Sequence, residues 1–386
     1  MPPAEKKKII IIGPAYPYRG GPSTFVSYIY NTAKDFFDIK IFNYKLLYPS
    51  FLFPGKTQYD QSKEKKFVVP SERIVNSMNP FNWINVAGRL KKEKADLVIF
   101  DWWHPFFAPC HFTISQLAGA GYKGKVLFIT ENYISHEQNL VDNILTKLGL
   151  HNADNFLALS ATVEKELKAN FPDRNIYRSE LPSFDLFTSN NINPADCRKF
   201  FGFNENDKVL LFFGYVRKYK GLDILLEAMP AILKNVPEVK LLVAGEFYDD
   251  VNNYNDIIKK HNLSDKVILR NEFISNEEVA KYFLASDLVV LPYRSATQSA
   301  VLNVAYSFNK AAVVTNVGGL SEFVKNMETG IITAPGSPEE ISSAVIKYFS
   351  LESKIDFAAN IKSFREKNQF SNLNDIFAKI IGNKTA

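Results

Sequence analysis

The sequence predicts an α/β protein made of two doubly wound parallel-sheet domains. Three observations carry this expectation. Apolar, β-branched strand runs alternate with helical stretches of about 10 to 15 residues through both halves, the pattern of βαβ units. A polar stretch with Pro182, Ser189, Asn190, Asn191, Asn193 and Pro194 breaks the periodicity between the halves. The chain of 386 residues is also too long for one ordinary core and suits two domains of roughly 150 to 200 residues each. The expected division is 1–190 for an N-terminal domain, 191–365 for a C-terminal domain, and 366–386 for a helical segment packing back on the first.

In chain order, Lys8 to Ile12 reads as a central strand, and Gly13 to Gly21 (GPAYPYRGG) as a glycine and proline loop. Pro22 then opens a helix from Ser23 to Lys34. Ile39 to Asn43, Asp96 to Phe100, Val126 to Thr130, Asn155 to Leu159 and Ile176 to Leu181 are the further strands. Helices are expected at about Asn139 to Leu148 and from Ser160 to Asn170. The second half repeats the alternation with strands Val209 to Gly214, Val239 to Gly245, Val267 to Leu269, Leu288 to Leu291, Ala312 to Thr315 and Ile331 to Thr333. A helix at Pro338 to Phe349 and a polar helical segment follow.

Hydrophobic content of 46% with 23% charged residues is that of a globular chain. Cys110 and Cys197 lie far apart, outside any CxxC pattern, so a reducing cytoplasmic setting without disulfides is expected. The first apolar run is four isoleucines, too short for a signal-peptide core, and no run reaches the ~18 apolar residues of a membrane span. HExxH, GxSxG and P-loop patterns are absent, as is Asp-x-Asp on a strand end. No metal, no cofactor and no nucleic-acid partner are therefore expected.

The net charge of +5 is uneven: residues 1–150 carry 19 Lys/Arg against 12 Asp/Glu. In the long segment Leu46 to Lys66, apolar Leu46, Leu47, Tyr48, Phe51, Leu52 and Phe53 precede Lys56, Lys63, Lys65 and Lys66. Apolar residues beside a basic cluster suit peripheral contact with a membrane, on the inner face of the cell membrane. The alternative is a loop whose aromatics fold back onto the domain.

The candidate chemistry stands at strand ends. Arg217 and Lys220, between Gly214 and Gly221, suit a pyrophosphate: arginine can bind it bidentately and lysine acts as a mobile point charge. Thr297, Gln298 and Ser299 precede a helix whose apolar face is Val301, Val304, Ala305 and Phe308. Its free N–H groups and dipole make an anion site. A capping box of Ser295 with Gln298 is the ligand-free alternative. The next strand ends in Gly318-Gly319, a turn expected to feed another helix. In the first half Trp103 offers a face for a sugar ring or is core, Glu131 is a carboxylate at a strand end that can act as a base, and His104 and His136 are possible hydrogen-bonding or proton-transfer groups.

Taken together, GPAYPYRGG, ENYISHE, FFGYVRKYKGLDILLEA and SATQSAVLNVAYSFNKAAVVTNVGGLSE resemble a retaining family-4 glycosyltransferase of the GT-B fold, over nearly the whole chain. The resemblance implies two Rossmann-like domains facing a central cleft, with a nucleotide-sugar donor on the second and the acceptor entering from the first. It matches Gly20 and Gly21 to the glycine loop near the donor phosphates, Lys220 to the pyrophosphate lysine, Glu322 to the carboxylate near the donor, and His136 to the histidine facing sugar and acceptor. Arg217 is a looser match, since many relatives place their arginine where Tyr215 stands. Two glutamates of many relatives fall on Ala296 and Val304 here, so Thr297, Gln298 and Ser299 are expected to supply part of that function.

The expected activity is metal-independent transfer of a sugar, with retention, to a lipid-linked or other glycan acceptor in polysaccharide biosynthesis. A nucleotide-sugar epimerase on the same fold and a catalytically degenerate GT-B binding partner are the alternatives.

Overall fold

The computed structural model describes residues 6–53, 55–119, 124–133, 140–179, 187, 192–367 and 372–382. It has two compact units. The first comprises Met1–Asp60, Lys65–Glu180 and Phe370–Ala386, and the second Gln61–Glu64 and Leu181–Gln369. The division at Glu180/Leu181 comes before residue 190, where the sequence placed it.

The first unit is a parallel sheet of seven strands in the order β3-β2-β1-β4-β5-β6-β7. β1 (Lys8–Ile12) is central because Ile9 to Ile12 are apolar on both faces, and all four are fully buried. α1 (Gly21–Ala33) follows the glycine loop, with Pro22 in its first turn where a missing N–H costs nothing. β2 (Asp38–Leu46) runs longer than the expected Ile39 to Asn43. β3 (Glu72–Asn76), α2 (Pro80–Glu93) and α3 (Ala108–Gly119) are additions to the sequence reading. A start signal for α2 was present: the Asn79 side chain caps it by accepting from the Phe81 and Asn82 N–H groups, and Pro80 occupies the first helical position.

β4 (Leu97–Trp102) follows α2 in sequence but lies beside β1 in space, and β5 (Lys125–Thr130) follows it. α4 (Leu140–Leu150), β6 (Asn155–Ala158), α5 (Ala161–Asn170) and β7 (Asn175–Arg178) complete the alternation. Ser160 caps α5 through the Val163 N–H, as the sequence suggested.

In the second unit α6 (Pro194–Phe200) leads into a six-stranded parallel sheet, order β10-β9-β8-β11-β12-β13. The elements are β8 (Lys208–Phe213), α7 (Leu222–Asn235), β9 (Val239–Ala244), α8 (Val251–Lys260) and β10 (Val267–Arg270). α9 (Val279–Ala285), β11 (Leu288–Leu291), α10 (Ala300–Ser307), β12 (Ala312–Thr315), β13 (Gly330–Thr333), α11 (Pro338–Leu351) and α12 (Phe357–Lys367) follow. Fully buried Leu225, Leu226, Met229 and Ile232 of α7 join Leu210, Leu211, Leu241 and Val289 of the sheet in one apolar core. Each such side chain contributes about 1.5–3 kcal/mol when removed from water. α13 (Leu373–Ile381) belongs to the first unit, where its buried face packs on α1 and β4. Its Asn374 amide donates to the Thr32 carbonyl at 3.2 Å.

In both sheets the chain reverses its direction of growth beside the first strand, between β1 and β4 and between β8 and β11. Loops leaving neighbouring strands there diverge to opposite faces, which opens space for a ligand at the strands' C-terminal ends.

Candidate functional site

In the second unit the loops after β8 and β11 meet at this reversal. Gly221 has φ 70°, and a Cβ there would lie 2.1 Å from the Pro292 carbonyl oxygen, so only glycine lets the two backbones touch. Arg294 locks the contact. Its N–H donates to the Tyr219 carbonyl at 2.6 Å, and Nη1 donates to the Lys218 carbonyl at 2.6 Å. Nη1 and Nη2 also donate to Asp223 Oδ1 and Oδ2 at 2.8 and 2.7 Å. The Arg217 to Lys220 segment is thereby held from both sides. The sequence reading missed Arg294, although its position two residues after the strand-ending Pro292 was a signal.

Within the clamped loop, Lys220 is only 9% exposed. A Cβ on Gly214 would sit 3.1 Å from Lys220 Nζ and 3.4 Å from Val301 Cγ2, which places the amine close to the first turn of α10. Burial, and then the neighbouring Arg217 charge, lower the Lys220 pKa from 10.5 to about 8. The Tyr293 ring centroid lies 5.6 Å from Nζ. Arg217 lies 5.0 Å from the centroid of Tyr248, whose ring stacks on Tyr215 at 4.8 Å. Two cations held close, one of them buried, repel each other; a bound polyanion would relieve that repulsion.

The α10 side of the site resolves one ambiguity. The N-cap is Ser299 and the helix starts at Ala300, so Ser295 and Gln298 do not form a capping box, and the Ser299 side chain does not cap. Thr297 and Ser299 are buried, and Gln298 Oε1 is buried without a hydrogen-bond partner among the described residues. Ala296 and Val304, the positions of the relatives' glutamates, are both in the apolar core. After β12 the Gly318-Gly319 turn leads to a single 3-10 turn, Ser321–Phe323, rather than the expected helix. Its Glu322 is exposed.

In the first unit Gly20, at φ 99°, is the N-cap of α1, and Gly21 is its exposed first residue. The loop before them is fixed by Asn43, a fully buried residue that the sequence reading took only as a strand end. Its Nδ2 donates to the Ala15 and Tyr16 carbonyls at 3.1 and 2.9 Å, and its Oδ1 accepts from the Ala15 N–H at 3.1 Å. Trp103 packs against Phe107 and donates from Nε1 to Tyr48 Oη at 3.0 Å, so it is built into an aromatic cluster. His104 is exposed and caps a 3-10 turn, Nδ1 accepting from the Phe106 N–H at 3.1 Å. Glu131 is buried at the end of β5, and desolvation raises its pKa to about 8. His136 lies outside the described residues.

The segment Leu46 to Lys66 divides. Leu47 is buried and Tyr48 packs on Phe106 and Phe107, so part of it folds back, whereas Phe51 is 81% and Leu52 48% exposed. Gln61–Glu64 groups with the second unit: Lys63 N–H donates to Glu277 Oε1 at 3.1 Å and Asn276 N–H to Ser62 Oγ at 2.9 Å. No helix among the described residues is long and apolar enough to cross a membrane. No group of three His, Cys, Asp or Glu that could hold a metal occurs among them.

Two Rossmann-like parallel-sheet units define the GT-B class of glycosyltransferase folds. The structure matches Anabaena Alr3699/HepE, solved in complex with UDP, with a TM-score of 0.73 at 17% identity over 97% of this chain and 99% of that one. Residues 195–367 match the family Glycosyl transferases group 1, and the chain carries a domain of that family. An uncharacterized glycosyltransferase of Methanocaldococcus jannaschii, MJ1178, is 23% identical over 93% of this chain and 93% of its own length. A second from that organism, MJ1607, is 30% identical over 40% of this chain, and the match spans 38% of its length.

Proposed function

We propose that this protein transfers a sugar from a nucleotide-sugar donor, held by the second unit, to a glycan acceptor that is lipid-linked, with retention of anomeric configuration and without a required metal. The observation that carries the proposal is the buried Lys220 amine beside Arg217 and the start of α10. A desolvated cation is costly unless an anion completes it, and the pyrophosphate of a sugar nucleotide has the matching charge. Anabaena Alr3699/HepE, similar in fold, has been solved with UDP-glucose, which supports this class of donor.

Bond breaking at the anomeric carbon leaves negative charge on the departing phosphate. Lys220, Arg217 and the amides opening α10 stabilise that charge, and the leaving phosphate oxygen takes the acceptor proton on the same face. This division of labour asks for cations rather than a carboxylate base in the second unit. His136 is assigned to the acceptor side. Phe51 and Leu52, exposed in a half of the chain rich in lysine, are assigned to a peripheral membrane contact.

The test is nucleotide release from a panel of UDP- and GDP-sugars, with and without a lipid-linked acceptor. Turnover of one donor that is lost in Lys220→Ala and Arg217→Ala supports the reading. Tight nucleotide binding without turnover of any donor would make the protein a nucleotide-sugar binding partner, a reading favoured by the buried Ala296 and Val304 at the glutamate positions. For the membrane contact, Phe51→Ser with Leu52→Ser should release the protein from anionic vesicles; unchanged binding removes that assignment.

A further inference from the structure

Asp101, absent from the sequence reading as a candidate, stands at the end of β4, and Glu131 directly follows β5. Asp101 pairs with Ile129 in the parallel register, and side chains alternate along a strand, so Asp101, Ile129 and Glu131 share one face of the sheet. The Glu131 N–H continues the ladder by donating to the Trp102 carbonyl at 2.9 Å. Asp101 is fully buried and Glu131 is 9% exposed. Both carboxylate oxygens of Asp101 and Oε1 of Glu131 are buried and accept no hydrogen bond among the described residues.

The space for these carboxyls is kept by Gly13, at the end of the neighbouring β1. A Cβ there would lie 3.1 Å from Asp101 Cβ, 3.7 Å from Asp101 Oδ2 and 2.8 Å from Val26 Cγ2. β1 and β4 are the two strands at which the sheet reverses, the place where a ligand enters. Among the described residues, the helices and strands on this face supply no counter-charge at the pair. α1 carries only Tyr28 and Tyr30 as titratable groups, β6 none, and β1 only Lys8 at its far end. The titratable groups of α13 are Asp375 and Lys379.

Two carboxylates cannot both stay ionised in such a place. Burial raises Glu131 to about 8; burial and then the charge of Glu131 raise Asp101 well above its ordinary value. We propose that Asp101 and Glu131 are one coupled carboxyl pair that keeps at least one proton at neutral pH, and that the pair holds a hydroxyl of a neutral polyhydroxylated acceptor in the first unit. Glu131, the slightly exposed member, touches the hydroxyl; Asp101 is a positioning residue that sets the protonation of Glu131. A carboxyl that keeps its proton offers both a donor and an acceptor, matching the two hydrogen-bonding roles of a sugar hydroxyl. No covalent step is assigned to it. This inference rests on the transferase reading for its ligand, but not for the pair itself.

The experiment has two arms on the full chain. Carboxyl ¹³C titration by NMR should show a carboxyl that stays protonated above pH 6 and ionises near pH 8, with that signal absent in Glu131→Gln and shifted in Asp101→Asn. Full ionisation of both by pH 5 overturns the proposal. In the second arm, transfer to a panel of neutral methyl glycosides should show the acceptor KM raised about tenfold or more in Glu131→Gln. The pH profile of that KM between 6 and 9 should change shape in Asp101→Asn. An unaltered KM and profile in both variants, with UDP binding confirming that they are folded, overturns the hydroxyl assignment. If wild-type protein turns over no donor, the transferase reading fails while the titration still decides the pair.

Discussion

Replacing Lys220 by methionine should stabilise the empty protein while abolishing its use of a donor. The side chain stays unbranched, one atom shorter, and loses its charge. A pKa lowered from 10.5 to about 8 corresponds to about 3 kcal/mol by which the fold disfavours the charged amine. That figure is an upper bound for the stabilisation expected at pH 7 in Lys220→Met. With about 2–4 °C per kcal/mol for a domain of this size, unfolding of the second unit should shift upward by several degrees. The sign follows from proton linkage. Below pH 8 both folded and unfolded amines are charged and the penalty is complete. Between pH 8 and 10.5 the folded state releases its proton first, so wild-type stability rises relative to the variant until the difference vanishes.

Function should move the other way. Losing a cation that stabilises the departing phosphate costs roughly 10²–10³ in rate. Wild-type donor affinity should itself decline above pH 8 as the amine deprotonates. Thermal unfolding of both proteins from pH 6 to 11, together with sugar-nucleotide turnover, checks the argument. A variant less stable than wild type at pH 7, with a stability difference that does not change between pH 8 and 10.5, would refute it.

Three further outcomes follow from the same contacts. Gly221→Ala forces a Cβ to 2.1 Å from the Pro292 carbonyl at a left-handed backbone position, and should cost about 2 kcal/mol or more by urea denaturation, with weaker UDP binding. Arg294→Lys loses the two-pronged grip on Asp223; because both side chains are about one-third exposed, stability should fall by under about 1 kcal/mol, while the donor KM rises several-fold in steady-state kinetics. Asn43→Ala leaves the Ala15 N–H and the Ala15 and Tyr16 carbonyls without their amide partner, at about 1–3 kcal/mol for each group left unpaired; the urea midpoint should drop accordingly. An unchanged midpoint would mean that water replaces the amide.

The sequence by itself determined the class and most of the strands. The four buried isoleucines of β1 and the apolar runs Leu288–Leu291 and Ala312–Thr315 are apolar on both faces, and only a sheet covered by helices on both sides buries them. It also placed Arg217, Lys220 and Thr297 to Ser299 at strand ends, because glycine, proline and small polar residues punctuate the chain locally. β3 and α3 escaped because their polar and apolar residues lack a clean period, and α2 was passed over despite its cap.

Tertiary structure decided which strand ends are neighbours. Strand order placed β8 beside β11 and β1 beside β4, and so brought Gly221 to Pro292 and Gly13 to Asp101. The grip of Arg294 on Asp223 and the shared face of Asp101 and Glu131 join residues far apart in the chain, which no local period encodes. Burial decided the rest. An amine at position 220 and a carboxyl at position 131 are ordinary surface groups in a sequence; the packing that removes water from them gives each a pKa near 8.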